Sequence, residues 1–190
     1  MQKAICVYCA SSNAVAPGFF KVATELGVLI ARHDYALVYG GTNVGLMGAV
    51  AKGVHQEGGK VIGVLPKPIR ELGIAYQLAD ELIVTGDLRE RKAAMEAKSD
   101  AFVALPGGFG TLEELLEVIT LKQLRLHTKP IILVNTEGFY DPLIALFEHI
   151  YEHRFAKPHH RKLYEVVADA AGVFAALKTY QPVEAEPKLF

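Results

Sequence analysis

The sequence lacks several features that would place the protein in a specialised class. Its 190 residues include only two cysteines and no tryptophan, and they carry a formal net charge of −1. No basic excess therefore indicates a nucleic-acid surface. No apolar run reaches the ~20 residues that a membrane-spanning helix needs, and the N-terminal segment lacks the hydrophobic pattern of a signal peptide. We expect a cytoplasmic protein that binds neither nucleic acid nor membranes.

The composition fits one compact domain. Hydrophobic residues make up 51% of the chain and charged residues 22%, which is typical of a globular protein. A chain of 190 residues can bury a sizeable core, and no composition break, repeat or low-complexity segment divides it. We therefore predict a single nucleotide-binding domain over residues 1–180 and a polar C-terminal tail over 181–190.

Short apolar runs alternate with amphipathic stretches along the chain. The runs that predict strands are KAICVYCAS, YALVYGG, KVIGVLP, ELIVT, DAFVALPGG, KPIILVN and YEVVADA. Most are apolar at nearly every position, as in strands that are buried on both faces of a parallel sheet. Because helical stretches separate them, we predict an α/β fold: a Rossmann-like, doubly wound, mostly parallel sheet with helices on both faces.

Three loops follow predicted strands and should meet at one edge of the sheet, where ligands of such folds bind. They are residues 11–13, 40–43 and 106–111. The last two belong to glycine-rich turns, GGTNVGLMG and PGGFGT, that lead into helices. Free N–H groups and the helix dipole favour an anion there, so the two turns indicate a phosphate-bearing ligand.

Neither glycine-rich turn contains a common nucleotide fingerprint. The dinucleotide motif G-x-G-x-x-G and the Walker motif G-x-x-x-x-G-K-[ST] are both absent. Hydride transfer and nucleoside-triphosphate hydrolysis therefore have little support.

Two short motifs could indicate a redox pair or a metal site, and each also has a structural interpretation. Cys6 and Cys9, in CVYC, lie inside a predicted strand, which favours buried structural thiols over a redox pair. His149 and His153, in HIYEH, match H-x-x-E-H, but no third protein ligand is evident. The histidine pair in AKPHHRK is expected at the surface. We predict no metal and no cofactor.

The acids of LPGGFGTLEE have two interpretations. Thr111 and Glu114 match the capping box T-x-x-E. The apolar stripe of the same helix would consist of Leu112, Leu115, Leu116 and Ile119. Glu114 would then lie nearly opposite that stripe, free to face a ligand or a partner subunit. A carboxylate near a sugar would stabilise the positive charge that develops when a bond at the anomeric carbon breaks.

The spacing of the basic segment LRERKAAM also allows two interpretations, a solvated helix face or a site that binds an anion. It places Arg91 and Lys92 on different faces at the start of a helix. Spacing alone favours a solvated helix face with loose ion pairs. Arginine is nevertheless the side chain best suited to bind phosphate or carboxylate, because its planar guanidinium can donate two hydrogen bonds to such a group at once.

Taken together, the motifs resemble one known family. PGGFGTLEE fits P-G-G-x-G-T-x-x-E, and the upstream ERKAAM fits R-K-x-x-M. GGTNVGLMGAVA and CVYCASS fit two further segments, so the similarity covers about residues 3–180. The chain resembles the LONELY GUY (LOG) family, cytokinin riboside 5′-monophosphate phosphoribohydrolases that were long labelled lysine decarboxylases. No lysine is placed recognisably for a pyridoxal Schiff base, so that label has no support here.

The resemblance implies a catalytic pair and a set of substrate contacts. The catalytic pair would be Arg91 and Glu114. The implied substrate-binding residues are Glu71, Lys92, Gly107, Gly108, Phe109, Gly110, Thr111, Leu112, Glu113 and Thr120. In the two further segments they are Ser12, Gly41, Gly45 and Met47.

The resemblance also implies a reaction. Water would replace the base at C1′ of AMP or N6-prenyl-AMP, giving adenine or a cytokinin and ribose 5-phosphate. The family further implies a homodimer with sites near its interface, and Arg125 would lie on the long helix where subunits meet. The rival interpretation is a non-catalytic module that senses a purine nucleotide. Such a sensor would share the loops but would not need Arg91 and Glu114.

Several residues depart from the family's common pattern. They are Ala10, Thr42, Leu88, Leu121 and Arg125. All leave the implied catalytic pair intact. They concern the base pocket, so the sequence leaves the choice between AMP and a prenylated AMP open.

Overall fold

A computed structural model describes residues 2–182 of the chain. The strands are β1 (Ala4–Tyr8), β2 (Ala36–Tyr39), β3 (Val61–Pro66), β4 (Glu81–Thr85), β5 (Ala101–Ala104), β6 (Ile131–Val134) and β7 (Glu165–Val167). The α-helices are α1 (Pro17–Arg32), α2 (Gly45–Gln56), α3 (Lys67–Arg70), α4 (Leu88–Ala97), α5 (Phe109–Gln123), α6 (Asp141–Glu152) and α7 (Ala170–Thr179). Short 3-10 turns lie at Thr136–Gly138 and Pro158–Leu163.

The strands form one sheet in the order β4-β3-β2-β1-β5-β6-β7. Every strand pairing in this sheet is parallel, so the predicted doubly wound α/β fold is confirmed and the sheet is parallel throughout. The chain winds outward from β1 to β4, returns to the centre, and winds outward again from β5 to β7. The strand order therefore reverses between β1 and β5, where ligands of such sheets bind.

Alternation along the strands divides the core into two layers. In β1, Ile5 and Val7 pack against α1, α2 and α7, whereas Cys6 and Tyr8 face α4, α5 and α6. Burial on both faces explains why the five inner strands, β1, β2, β3, β5 and β6, are apolar at nearly every position, whereas the edge strands β4 and β7 are only partly buried or exposed. Within the described residues, no helix combines the length and the apolarity that crossing a membrane requires.

Some predicted boundaries need correction. The long helix was expected to begin at Thr111 and to extend past Arg125, but α5 begins at Phe109 and ends at Gln123. Arg125 follows the helix in a left-handed conformation with φ of 65°. It is therefore a loop residue. Of the predicted polar tail, only residues 181 and 182 fall within the described part of the chain.

Candidate active site

A cavity of about 290 Å³ lies at the carboxyl edge of the sheet, beside the point where the strand order reverses. We call it the carboxyl-edge cavity. Its lining residues are Val7, Tyr8, Cys9, Ala10, Ser11, Gly40, Met47, Arg91, Gly108, Phe109, Gly110, Thr111 and Glu114. The three predicted loops thus meet at one edge, as expected from parallel strands.

Backbone hydrogen bonds tie the loops together. The Ala10 N–H donates to the Pro106 carbonyl at 3.2 Å, and the Leu46 N–H donates to the Ala10 carbonyl at 2.9 Å. The Asn13 side-chain oxygen accepts from the Gly45 N–H at 2.8 Å. The ends of β1 and β5 and the start of α2 therefore form one connected frame around the cavity.

Arg91 reaches the cavity from the first turn of α4. Asp87 caps this helix by accepting from the N–H groups of Arg89 and Glu90 at 2.7 and 2.9 Å. The Arg91 Nε donates to the Val64 carbonyl at 3.1 Å, and its Nη1 lies 3.0 Å from Glu114 Oε1. The guanidinium is thus held between the end of β3 and the start of α5.

The absence of a side chain at Gly40 provides the space that the Arg91 guanidinium occupies. A Cβ at Gly40 would lie 2.5 Å from Arg91 Nη2 and 2.6 Å from Met47 Sδ. Contacts this short do not occur between real side chains. The end of β2 must therefore be glycine for Arg91 and Met47 to pack as they do.

Glu114 is buried, with 7% of its surface exposed, on the inner side of α5. Burial raises the pKa of its carboxyl group above the ordinary value, and this outweighs the opposing attraction of Arg91. A buried carboxylate with a perturbed pKa and a single cationic partner is typical of catalytic sites.

Comparison with known proteins decides the family. The family described as "possible lysine decarboxylase" matches residues 47–177. A cytokinin riboside 5′-monophosphate phosphoribohydrolase of Arabidopsis thaliana is 40% identical over 181 residues, which cover 95% of this chain and 79% of that protein. A probable one of Oryza sativa subsp. japonica is 42% identical over 179 residues, which cover 94% and 79% of the two chains. The chain belongs to the LONELY GUY family.

A solved structure shows the same fold. The Moco carrier protein of Chlamydomonas reinhardtii is 29% identical and superposes with a TM-score of 0.72, covering 94% of this chain and 96% of that one. The sheet architecture of this LONELY GUY protein therefore also occurs in a protein named as a carrier.

The glycine loop of the LONELY GUY motif opens the N-terminus of α5 towards the cavity. Gly108 is the N-cap residue, and nothing lies within 4 Å of the Cβ that either Gly108 or Gly110 would carry. A Cβ on Gly107 would instead lie 2.1 Å from Thr111 Oγ1. The loop is therefore tight on its inner side and open on its cavity side, where N–H groups of the first turn point without helical partners.

The capping-box interpretation of Thr111 and Glu114 is wrong. Because α5 begins two residues earlier than expected, both residues lie inside the helix, and no side chain caps it. The predicted apolar stripe is also wrong in part. The residues of α5 that the structure buries are Thr111, Glu114, Leu115, Val118 and Lys122. Glu114 therefore faces inward beside Leu115, while Leu116 is 40% exposed.

Lys92 faces away from the carboxyl-edge cavity. Its ammonium pairs with the carboxylates of Glu113 and Glu117, the latter at 2.9 Å. These contacts raise the Lys92 pKa, with the hydrogen bond to Glu113 as the largest cause. Lys92 thus joins α4 to α5 outside the cavity.

Several other implied substrate residues lie outside the cavity lining. Thr120 is exposed and donates its hydroxyl hydrogen to the Leu116 carbonyl, and Glu71 ends α3 at the surface. Ser12 accepts from the Ala14 N–H at 3.1 Å. Further implied residues that do not line the cavity are Gly41, Gly45, Gly107, Leu112 and Glu113. Their contact with substrate stays a prediction.

Ser11 and Gly40 line the cavity and belong to the loops predicted to border the ligand. The lining residues that the sequence analysis missed are Val7, Tyr8, Cys9 and Ala10. Their position at the end of β1 was the available signal, since the fold predicts that this end borders the ligand.

The metal and redox alternatives have no structural support. Cys6 and Cys9 are free and buried, and burial raises the pKa of Cys6 to about 12, which keeps its thiol protonated. The interpretation as buried structural thiols is confirmed. No group of three or more His, Cys, Asp or Glu residues within residues 2–182 could hold a metal ion.

The turn before α2 provides a test of how tightly the loops are packed. Gly45 has φ of 57°, and a Cβ there would lie 2.5 Å from the Ser11 carbonyl carbon and 2.6 Å from the Ala10 oxygen. Replacing Gly45 with alanine should destabilise the protein by about 3 kcal/mol, because a left-handed backbone cost of ~1–2 kcal/mol adds to overpacking.

Gly58 is the matched control for this substitution. It has φ of 68°, but nothing lies within 4 Å of its Cβ position. Gly58→Ala should therefore cost only the backbone contribution of ~1–2 kcal/mol in urea-induced unfolding. Equal losses for the two variants would contradict the proposed packing of α2 against the end of β1.

Proposed function

We propose that the protein hydrolyses the N-glycosidic bond of AMP or an N6-modified AMP and releases the base and ribose 5-phosphate. One observation carries this proposal: a buried carboxylate, Glu114, lies 3.0 Å from Arg91 beside an open helix N-terminus. This arrangement supports a site in which an anion would bind next to a carboxylate that stabilises positive charge. The names of the homologues describe the same chemistry.

The 5′-phosphate would bind at the N-terminus of α5. The backbone of residues 107–111 offers N–H groups at the positive end of the helix dipole, and Gly108 and Gly110 let an anion approach closely. This binding would fix the sugar next to Glu114. No metal is needed for phosphate binding in this arrangement, because backbone donors and the dipole supply the positive field.

Glu114 would act at the sugar. Breaking the bond at C1′ builds oxocarbenium charge, which an ionised carboxylate in a low-dielectric site stabilises strongly. Three roles of Glu114 are compatible with this position: it could stabilise the ribosyl cation, capture it as a nucleophile, or activate the attacking water. Arg91 would keep Glu114 ionised and oriented, because its guanidinium is fixed by the Val64 carbonyl.

The pH dependence of turnover should report the Glu114 carboxyl. All three roles need the ionised form, and its pKa is raised above the ordinary 4.5. The kcat/KM for AMP should therefore fall as the pH decreases through a pKa above 4.5, and not at the lower pH of an exposed glutamate, because kcat/KM reports the groups of the free enzyme. Initial rates at AMP concentrations well below KM between pH 4 and 9 measure this limb. Activity that instead rises on acidification would contradict an ionised Glu114.

Incubation with AMP and with N6-isopentenyl-AMP tests the activity directly. Free adenine or isopentenyladenine, detected by liquid chromatography, is the expected product. Tight AMP binding without release of base from either nucleotide would favour the rival sensor. The likeness to a protein named as a carrier is the observation that keeps this rival in consideration.

We also infer a homodimer with its sites near the interface, located in the cytoplasm. The outer side of α5 supports the dimer, since Phe109 is 93% exposed and Leu116 is 40% exposed next to the carboxyl-edge cavity. Exposed apolar side chains in one place indicate a contact surface. Light scattering of the purified protein should give the mass of two chains, and the mass of one chain would contradict this inference.

A further inference from the structure

A second and larger cavity lies at the opposite, amino edge of the sheet. It has a volume of about 590 Å³ and is formed by the starts of β6 and β7 and the ends of α5 and α7. We call it the amino-edge cavity. Its lining residues are Lys122, Pro130, Ile131, Ile132, His159, Lys162, Leu163, Tyr164, Glu165, Ala176, Thr179, Tyr180, Gln181 and Pro182. The proposed hydrolysis uses none of these residues.

Lys122 is the unusual residue of this cavity. It is buried, its Nζ donates to the Leu163 carbonyl at 2.8 Å, and the same nitrogen lies 4.9 Å from the centre of the Tyr180 ring. In the part of the chain that the structure describes, no carboxylate forms an ion pair with it. Burial alone lowers its pKa to about 8. An ammonium in this position gains strongly from an added anion.

The other charged and aromatic groups of the cavity fit the same ligand. Lys162 and His159 also line it, and Glu165 is the acidic residue among them. Tyr164 and Tyr180 provide ring surfaces, and the Tyr180 hydroxyl is fixed by donating to the Thr128 carbonyl. A flat ligand with one negative charge would therefore find both a cation and apolar walls.

We propose that the amino-edge cavity is a second small-molecule site, which takes an aromatic carboxylate with its carboxylate group on Lys122. Small-molecule sites commonly use a few polar groups to fix the orientation of a ligand that packs against aromatic rings. Because this site lies at the other edge of the sheet, its ligand should not compete with AMP.

Calorimetric titration with benzoate at pH 8 tests the proposal. Bound carboxylate would raise the Lys122 pKa, so the protein should take up protons from the buffer when benzoate binds. Titrations in Tris and in HEPES, whose ionisation enthalpies differ, measure that uptake. Benzamide, which has the same shape without the charge, should bind at least about tenfold more weakly because the charge-assisted contact is lost.

Two Lys122 variants separate ligand binding from a structural role. Lys122→Met should weaken benzoate binding about tenfold or more. Lys122→Arg keeps the charge, so it should still bind benzoate but take up no proton, since arginine does not titrate near pH 8. Lys178→Met is the control, because Lys178 is exposed on α7 and does not line the cavity.

The outcomes that would overturn the proposal are specific. They are absence of benzoate binding, equal binding of benzamide, unchanged proton uptake in Lys122→Arg, or competition between benzoate and AMP. The tyrosines would not mimic the expected uptake, because burial raises the pKa of both Tyr164 and Tyr180. Any proton exchange by His159, Lys162 or Glu165 would persist in Lys122→Arg and so be distinguished.

Discussion

Replacing Glu114 with glutamine is expected to lower kcat for base release about 10³-fold while AMP still binds. Glutamine keeps the shape and can still accept from Arg91, but it carries no negative charge to stabilise the ribosyl cation. The substitution leaves the proposed phosphate contacts at the start of α5 in place, so the AMP dissociation constant should change little. Single-turnover release of adenine and equilibrium AMP binding, measured on the same preparation, separate the two effects.

Glu117→Gln is the matched control for this substitution. Glu117 lies one turn further along α5 and pairs with Lys92 at 2.9 Å, outside the cavity lining. Loss of this partly exposed ion pair should leave kcat within about twofold of the wild type. Wild-type turnover by Glu114→Gln would refute the catalytic role of Glu114, whereas equal losses in both variants would indicate a general effect on α5.

Replacing Arg91 with lysine should lower kcat about 10²-fold. The guanidinium bonds at once to the Val64 carbonyl at 3.1 Å and to Glu114 at 3.0 Å. The single ammonium nitrogen of lysine cannot donate to both oxygens as the separate guanidinium nitrogens do, so Glu114 would lose its fixed orientation. Weaker attraction from the lysine would also leave more of the effect of burial unopposed, so the Glu114 pKa should rise and the acidic limb of the kcat/KM profile should move to higher pH.

Arg89→Lys controls for the removal of an arginine from α4. Arg89 is exposed at the first turn of the same helix. Its replacement should change kcat by less than about twofold. An Arg91→Lys variant with unchanged kcat and an unchanged pH profile would show that the guanidinium does not orient Glu114.

The pattern of apolar runs was enough to predict the sheet. Burial on both faces removes polar residues from the inner parallel strands, so the runs of β1, β2, β3, β5 and β6 stand out without any long-range information. The meeting of the loops followed as well, because parallel strands bring their carboxyl ends to one edge. Glycine spacing in residues 106–111 then indicated an anion at that edge.

The orientation of α5 could not be predicted in the same way. Leu112, Leu115, Leu116 and Ile119 are all apolar, and periodicity assigned them to one buried stripe. In the structure the buried line instead includes Glu114, which the predicted stripe places on the outer side of the helix. Leu116 is exposed although the stripe includes it, so its apolar character misled the prediction. An exposed apolar side that could contact a partner gives the same periodic signal as a core.

The sequence by itself determined the fold, the edge where ligands bind and the family. These follow from local patterns: the period of burial, the glycine turns and the order of the motifs. Only the tertiary structure decided that Arg91 contacts Glu114, that Glu114 is buried, and that Lys122 lines a cavity at the amino edge. These contacts join segments that are distant in the chain, so they depend on how the helices pack on the sheet.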